Sequence, residues 1–118
     1  MAAKDELGRR GEDEAVRYLE QRGLVVLSRN WRCRDGELDV VAVEDDRLVV
    51  CEVKTRSGTR FGEPAEAVTP QKAARIRRVT QAWLAAHHVP WCGIRFDVVA
   101  VLMEPSRPVT LQHYEAAF

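Results

Sequence analysis

Between Glu37 and Thr55 the chain reads ELDVVAVEDDRLVVCEVKT. Two β-branched, apolar runs flank a short acidic break, which is the pattern of a hairpin. The second run is apolar on both faces. Val49, Cys51, Val53 and Thr55 alternate with Leu48, Val50, Glu52 and Lys54. Side chains alternate across a strand, so a strand that begins apolar on both faces is central and needs cover on both sides. The rest of the chain must therefore supply one layer above this hairpin and one below it.

The remaining segments supply those layers. Residues from about Lys4 to Gln21 read as a helix, with Leu7, Gly11, Ala15, Tyr18 and Leu19 at helical spacing and Arg22-Gly23 as the stop. Leu24 to Trp31 reads as a strand, and "RDG" turns it into the hairpin. "RSGTRFGEPAEAV" is a loop punctuated by Gly and Pro. Thr69-Pro70 then starts a second helix that runs to about His87, a capping hydroxyl followed by proline at the first helical position. "VPWCG" breaks it, "IRFDVVAVLM" is a fourth strand, and "VTLQHYEAAF" is a short last strand or a frayed tail. The order is α-β-β-β-α-β-(β). The expected fold is an α/β sandwich with a central mixed sheet of four to five strands. At 118 residues the chain is one domain with one core.

Charge bounds the function. The formal net charge is zero, which argues against a non-specific basic coat for nucleic acid. The charges are uneven, however. From Glu52 to Arg78, seven bases (Lys54, Arg56, Arg60, Lys72, Arg75, Arg77, Arg78) face three acids (Glu52, Glu63, Glu66). Cys33, Cys51 and Cys92 show no zinc spacing and fit a reducing compartment. The charged N-terminus is no signal peptide, and no apolar run approaches membrane-spanning length. A cytoplasmic protein without a membrane partner is expected.

Five charged side chains fall where apolar ones belong. Glu52 and Lys54 end the central strand on one face. Asp39 interrupts the apolar strand before it, on a face shared with Glu37, Val41 and Val43, and hairpin pairing would set it beside Glu52. Glu52 with Lys54 reads either as a structural ion pair or as part of a site. Two carboxylates and a lysine at the end of a central hairpin are costly as structure alone, because like charges repel at short range. A divalent cation removes that cost, and magnesium takes one or two carboxylates while keeping waters. At about 100° per residue, Glu12 falls in the apolar arc of the first helix between Ala15 and Val16, as a site acid or a helix-end acid reaching water. By the same geometry Lys72 falls in the apolar arc of the second helix, in its first turn. It either reaches back over the sheet end or packs its stem and keeps its head in water.

In this order, Glu12 on a helix, "GELD" on one strand, "CEVK" on the next and then a helix, the chain resembles the PD-(D/E)XK nucleases of restriction-endonuclease-like fold. More closely it resembles the YraN family of small bacterial proteins, through "GRRGEDEAVRYLEQRG", "RNWRCRDGELDVV", "CEVKTR", "FGEPAEAV", "QKAARI" and "RFDVVAV". The resemblance implies a restriction-endonuclease-like α/β/α sandwich and a nuclease acting on DNA, branched or damaged DNA included. It implies Mg²⁺ or Mn²⁺ on Asp39, Glu52 and the Val53 carbonyl, with Lys54 orienting water and adding positive charge. Glu12 matches the helix-one glutamate of archaeal Holliday-junction resolvases and would complete the shell or hold a second ion. Leu38 stands where that superfamily usually has the proline before its aspartate. Lys72, and behind it Gln71, would contact the scissile phosphate. Arg56, Arg60, Arg75 and Arg78 would track the backbone, or are solvated surface arginines. A module that binds nucleic acid without turnover is the alternative, and a protein whose charges are all ion pairs is a third reading. A homodimer would give so small and neutral a domain a grip on a duplex, and that stays open. Asp97 is read as a structural strand acid, paired with Arg95 or capping a loop. His87 and His88 receive no catalytic role.

Overall fold

The computed structural model describes residues 3–57, 68–90 and 92–118. Its elements are helix α1 (Ala3–Gln21), strands β1 (Val25–Cys33), β2 (Gly36–Glu44) and β3 (Arg47–Arg56), helix α2 (Pro70–Ala86), and strands β4 (Ile94–Leu102) and β5 (Thr110–Tyr114). The terminal segment that could have been strand or tail is a strand. The five strands lie in the order β1-β2-β3-β4-β5. β1, β2 and β3 form an antiparallel meander, β3 and β4 run parallel, and β5 returns antiparallel. A parallel neighbour needs a crossover, and the segment containing α2 makes it.

The two faces of β3 receive the cover that its composition demands. Val49, Cys51 and partly buried Val53 pack with Val40, Ala42, Val99 and Val101 under Ala15, Val16 and Leu19 of α1. Leu48 and Val50 pack with Leu38 and Val41 under Ile76, Val79, Trp83 and Leu84 of α2. Burial of each large side chain stabilises the fold by roughly 2 kcal/mol.

Local chemistry places the helices. Thr69 caps α2, accepting the Lys72 amide at 3.1 Å, and Pro70 follows at the first turn. This sets Lys72 at the start of the helix, over the end of β3. α1 stops at Gly23, which takes φ +94°, and the Leu24 amide reaches back to the Leu19 carbonyl at 3.1 Å. Gly11 lies where α1 crosses β3, and a Cβ there would overlap the Thr55 side chain. Glycine therefore lets the helix approach the strand end and carries the next residue, Glu12, with it.

One expectation about β2 is corrected. Strict alternation would put Glu37, Asp39, Val41 and Val43 on one face. Instead Leu38 and Val41 both pack toward α2, while Val40 and Ala42 pack toward α1. The alternation slips between Leu38 and Val40. The ladder to β3 begins at Val40↔Cys51, so Asp39 is the residue at which β2 parts from β3.

Candidate functional site

Glu12 is 8% exposed, beneath α1. Its Oε1 accepts from Asn30 Nδ2 at 2.6 Å and from Arg29 at 3.4 Å, while Arg29 makes its closer pair with Asp13 at 2.5 Å. Burial pushes the Glu12 carboxyl up, and Arg29 and Asn30 offset only part of that.

Asp39 stands at the fork of the hairpin. Its Oδ2 accepts the Val53 amide at 2.9 Å, replacing the ladder bond that the parting strands lose. It borders two clefts. One, of about 760 Å³, is also lined by Glu12, Asn30, Val53 and Thr55. The other, of about 250 Å³, is lined by Glu52, Lys72 and Arg75 as well. Burial and the Glu52 carboxylate push the Asp39 carboxyl up to about 7, against the pull of the Val53 amide. An acid this reluctant to ionise is held where a cation would relieve it.

Glu52 and Lys54 do lie on the α2 side of β3, and Lys72 does reach back over the sheet end. Glu52 Oε1 lies 2.6 Å from Lys72 Nζ and 3.8 Å from Lys54 Nζ. The two lysines differ. Burial and the nearby Lys72 lower the affinity of Lys54 for its proton. Burial works the same way on Lys72, but its hydrogen bonds to Glu52 and Lys54, together with the charges of Glu52 and Asp39, outweigh it and hold Lys72 above the usual lysine range.

The proposed phosphate-tracking residues divide. Gln71, Arg75 and Arg78 are exposed at positions i, i+4 and i+7 of α2, one stripe whose middle residue, Arg75, also lines the smaller cleft. Arg56 ends β3, its carbonyl accepting the Met103 amide at 2.8 Å. Arg60 lies outside the described residues. His87 stacks on Trp83 at 4.2 Å between ring centres, a packing role.

A second polar cluster lies on the α1 side of the sheet. Fully buried Asp97 pairs with Arg95, as expected, but in a larger network. Its Oδ1 accepts from Arg95 Nε at 2.9 Å and from the Ala116 amide at 3.0 Å; its Oδ2 accepts from Arg95 Nη2 at 2.9 Å and His113 Nε2 at 2.7 Å. His113 Nδ1 in turn meets the Tyr18 hydroxyl at 3.0 Å. Burial alone would raise Asp97, but the bonds from His113 and Arg95 hold its carboxyl down at about 2. Its neighbour Cys51 is pushed up by burial and by the Asp97 charge.

Which cluster suits a metal is decided by free lone pairs. The ligand atoms of Cys51, Asp97 and His113 all lie within 4.8 Å of one another, close enough to hold an ion, and no other such trio occurs among the described residues. Yet both Asp97 oxygens already accept two donors each. An ion there would have to displace Arg95. Glu12, Asp39, Glu52 and the Val53 carbonyl are hard oxygen donors that border open clefts, and Asp39 accepts one bond where it could accept more. They do not form a closed cage. Magnesium or manganese needs only one or two carboxylates and keeps its waters, so this donor set fits such an ion.

Sequence reading missed Asn30 and Arg29, and it saw only the Arg95 side of the Asp97 network. An Asn inside a β-branched and aromatic strand was the available signal for the first. For the rest there was none, because His113 and Glu44 reach Arg95 and Asp97 only through sheet pairing.

Comparison with known proteins gives a family. The profile of "Uncharacterised protein family UPF0102" matches residues 11–101. A UPF0102 protein of Frankia alni is 57% identical over 119 residues, covering 100% of this chain and 98% of its own length. One from Kineococcus radiotolerans is 57% identical, covering 96% of this chain and 93% of its own. One from Nocardia farcinica is 50% identical, covering 98% and 91%. No helix among the described residues is long and apolar enough to cross a membrane.

Proposed function

The chain belongs to the uncharacterised protein family UPF0102, and from that premise we propose that it is a metal-dependent nuclease hydrolysing phosphodiester bonds in DNA. The observation that carries this reading is Asp39. It sits at the fork of a central hairpin with one hydrogen bond, between two open clefts, its carboxyl raised by burial and by Glu52. A purely structural acid would be expected to be paired, as Asp97 is. The reading takes Asp39, Glu52 and Lys54 as the acids and the lysine of the PD-(D/E)XK pattern.

Asp39 and Glu52, with the Val53 carbonyl, would hold Mg²⁺ or Mn²⁺, and Glu12 would complete the shell from the larger cleft. When bound, such an ion polarises the phosphate and lowers the pKa of a water. Lys54 orients the attacking water and, when protonated, places charge against the phosphate oxygens. Lys72 pairs with the same Glu52 oxygen and lines the smaller cleft, where a phosphate would sit. In the net step water oxygen bonds to phosphorus, the ester oxygen leaves, and the proton that water gives up ends on that oxygen. Gln71, Arg75 and Arg78 lead away from the cleft along α2 and suit a phosphate backbone.

A second reading has its own observation. Glu52 is already matched by Lys72 at 2.6 Å, an ion pair complete without metal. That suits a module that binds nucleic acid and does not cut it. Calorimetric titration with Mn²⁺ separates the two, run on the wild type and on Asp39→Ala, each checked for fold by circular dichroism. Binding by the wild type that is lost in the variant, followed by cleavage of junction, flap or single-stranded DNA, is the expected result. A folded wild type that takes no Mn²⁺, yet binds DNA in chelator, supports the second reading.

A further inference from the structure

Asn30 lies within β1 with φ +50°, in the left-handed region. Residues other than glycine seldom take that conformation, and asparagine is among the least reluctant. From this position its short amide crosses to α1 and donates to Glu12 Oε1 at 2.6 Å. The other donor to that oxygen, Arg29, stands at 3.4 Å and is committed to Asp13 at 2.5 Å. The Arg29–Asp13 pair already ties α1 to β1 at the surface. The strained residue does something the pair does not. It grips one particular oxygen of a buried carboxylate, on the wall of the cleft that Asp39 and Val53 also line.

We propose that Asn30 is a positioning residue that acts through Glu12, holding Oε1 so that the carboxylate presents Oε2 to a divalent cation in the cleft. This rests on the metal-dependent reading given above. Outer-shell partners of this kind orient the ligand, and their removal typically weakens metal affinity 10- to 100-fold. A glycine at this position keeps the left-handed backbone at no steric cost and removes only the amide. Asn30→Gly therefore isolates the hydrogen bond.

The test is a double-mutant cycle in Mn²⁺ affinity, measured by calorimetry on wild type, Asn30→Gly, Glu12→Ala and the double variant, with thermal unfolding in chelator recorded for each. The expected result has three parts. Asn30→Gly melts close to wild type, it binds Mn²⁺ about tenfold more weakly, and it has no further effect once Glu12 is alanine. Unchanged affinity in Asn30→Gly overturns the proposal and leaves the metal site standing, provided Asp39→Ala still abolishes binding. An equal loss in both backgrounds also overturns it, because Asn30 would then act without Glu12. So does failure of Asn30→Gly to fold, which would make Asn30 a structural residue. A wild type that takes no Mn²⁺ removes the proposal and the metal-dependent reading together.

Discussion

Asp39 and Asp97 are both strand acids, in the two strands that flank β3, and the protein treats them in opposite ways. Asp97 is fully buried, and its two oxygens accept bonds from Arg95, His113 and the Ala116 amide. Asp39 accepts the Val53 amide and otherwise faces clefts, with Glu52 as its neighbour. The first carboxyl is held down at about 2, the second pushed up to about 7. Burial raises both; the difference lies in the partners. A buried acid whose partners are complete stabilises the fold. A half-buried acid whose partners are incomplete is held at a cost by the surrounding structure, and such costs collect at functional sites.

The contrast is broken most directly at Asp97. Asp97→Ala leaves Arg95 buried with fewer partners and should destabilise the protein by about 3–5 kcal/mol, read as a lower urea midpoint. Asp39→Ala should lose far less stability while abolishing Mn²⁺ binding. If both variants were equally destabilised, the distinction between the two acids would fail.

Acid titration sharpens it next. The Asp97 carboxyl lies below its ordinary value of 3.8, so its contribution is present above about pH 4 and is lost as pH falls toward 2. Unfolding free energy of the wild type should drop by roughly 2 kcal/mol over that window, and by much less in Asp97→Asn. Asp39 has the opposite sign. Its carboxyl lies above 3.8 when folded, so without metal it binds a proton more tightly in the folded state. It should therefore reduce stability progressively as pH rises from about 4 to 7.

A smaller effect tests the strain itself. Asp39→Asn keeps an acceptor for the Val53 amide and removes the charge facing Glu52. At pH 8 in chelator it should be more stable than wild type by about 1 kcal/mol, by urea unfolding, while its Mn²⁺ binding is lost. A variant less stable than wild type would return Asp39 to the structural class. The smallest effect lies on α2. Arg75→Ala and Arg78→Ala should each reduce the salt dependence of DNA binding by about one unit of slope, in fluorescence anisotropy, and leave Mn²⁺ binding unchanged.

Much of this could be read along the chain. The doubly apolar third strand required cover on both faces, and α1 and α2 provide it. Thr69-Pro70 started α2 where expected, and so Lys72 reached Glu52. Glu12 turned inward because the helical period placed it in the apolar arc. Local period failed at Asp39, where a strict alternation over Glu37, Asp39, Val41 and Val43 did not survive. A slip between Leu38 and Val40 is a property of two strands separating and has no signature in either strand alone. Asn30 was missed for a related reason, since its left-handed backbone and its grip on Glu12 exist only when α1 lies across β1.

By itself, then, the sequence determined the two helices and the first four strands, the central position of β3 and the helix or strand face on which Glu12, Glu52, Lys54 and Lys72 each lie. These follow from periodicity and burial, which act between near neighbours. Only the tertiary structure decided which acids are satisfied. Asp97 finds Arg95 within its own strand, but His113 and the Ala116 amide come from the returning β5 segment. Asp39 lies where the hairpin opens and accepts the Val53 amide that the ladder leaves over, while its nearest charged neighbour is Glu52, an acid that repels it. Hydrogen-bond satisfaction is a matter of which groups meet across the sheet, and that is settled when distant segments pack together.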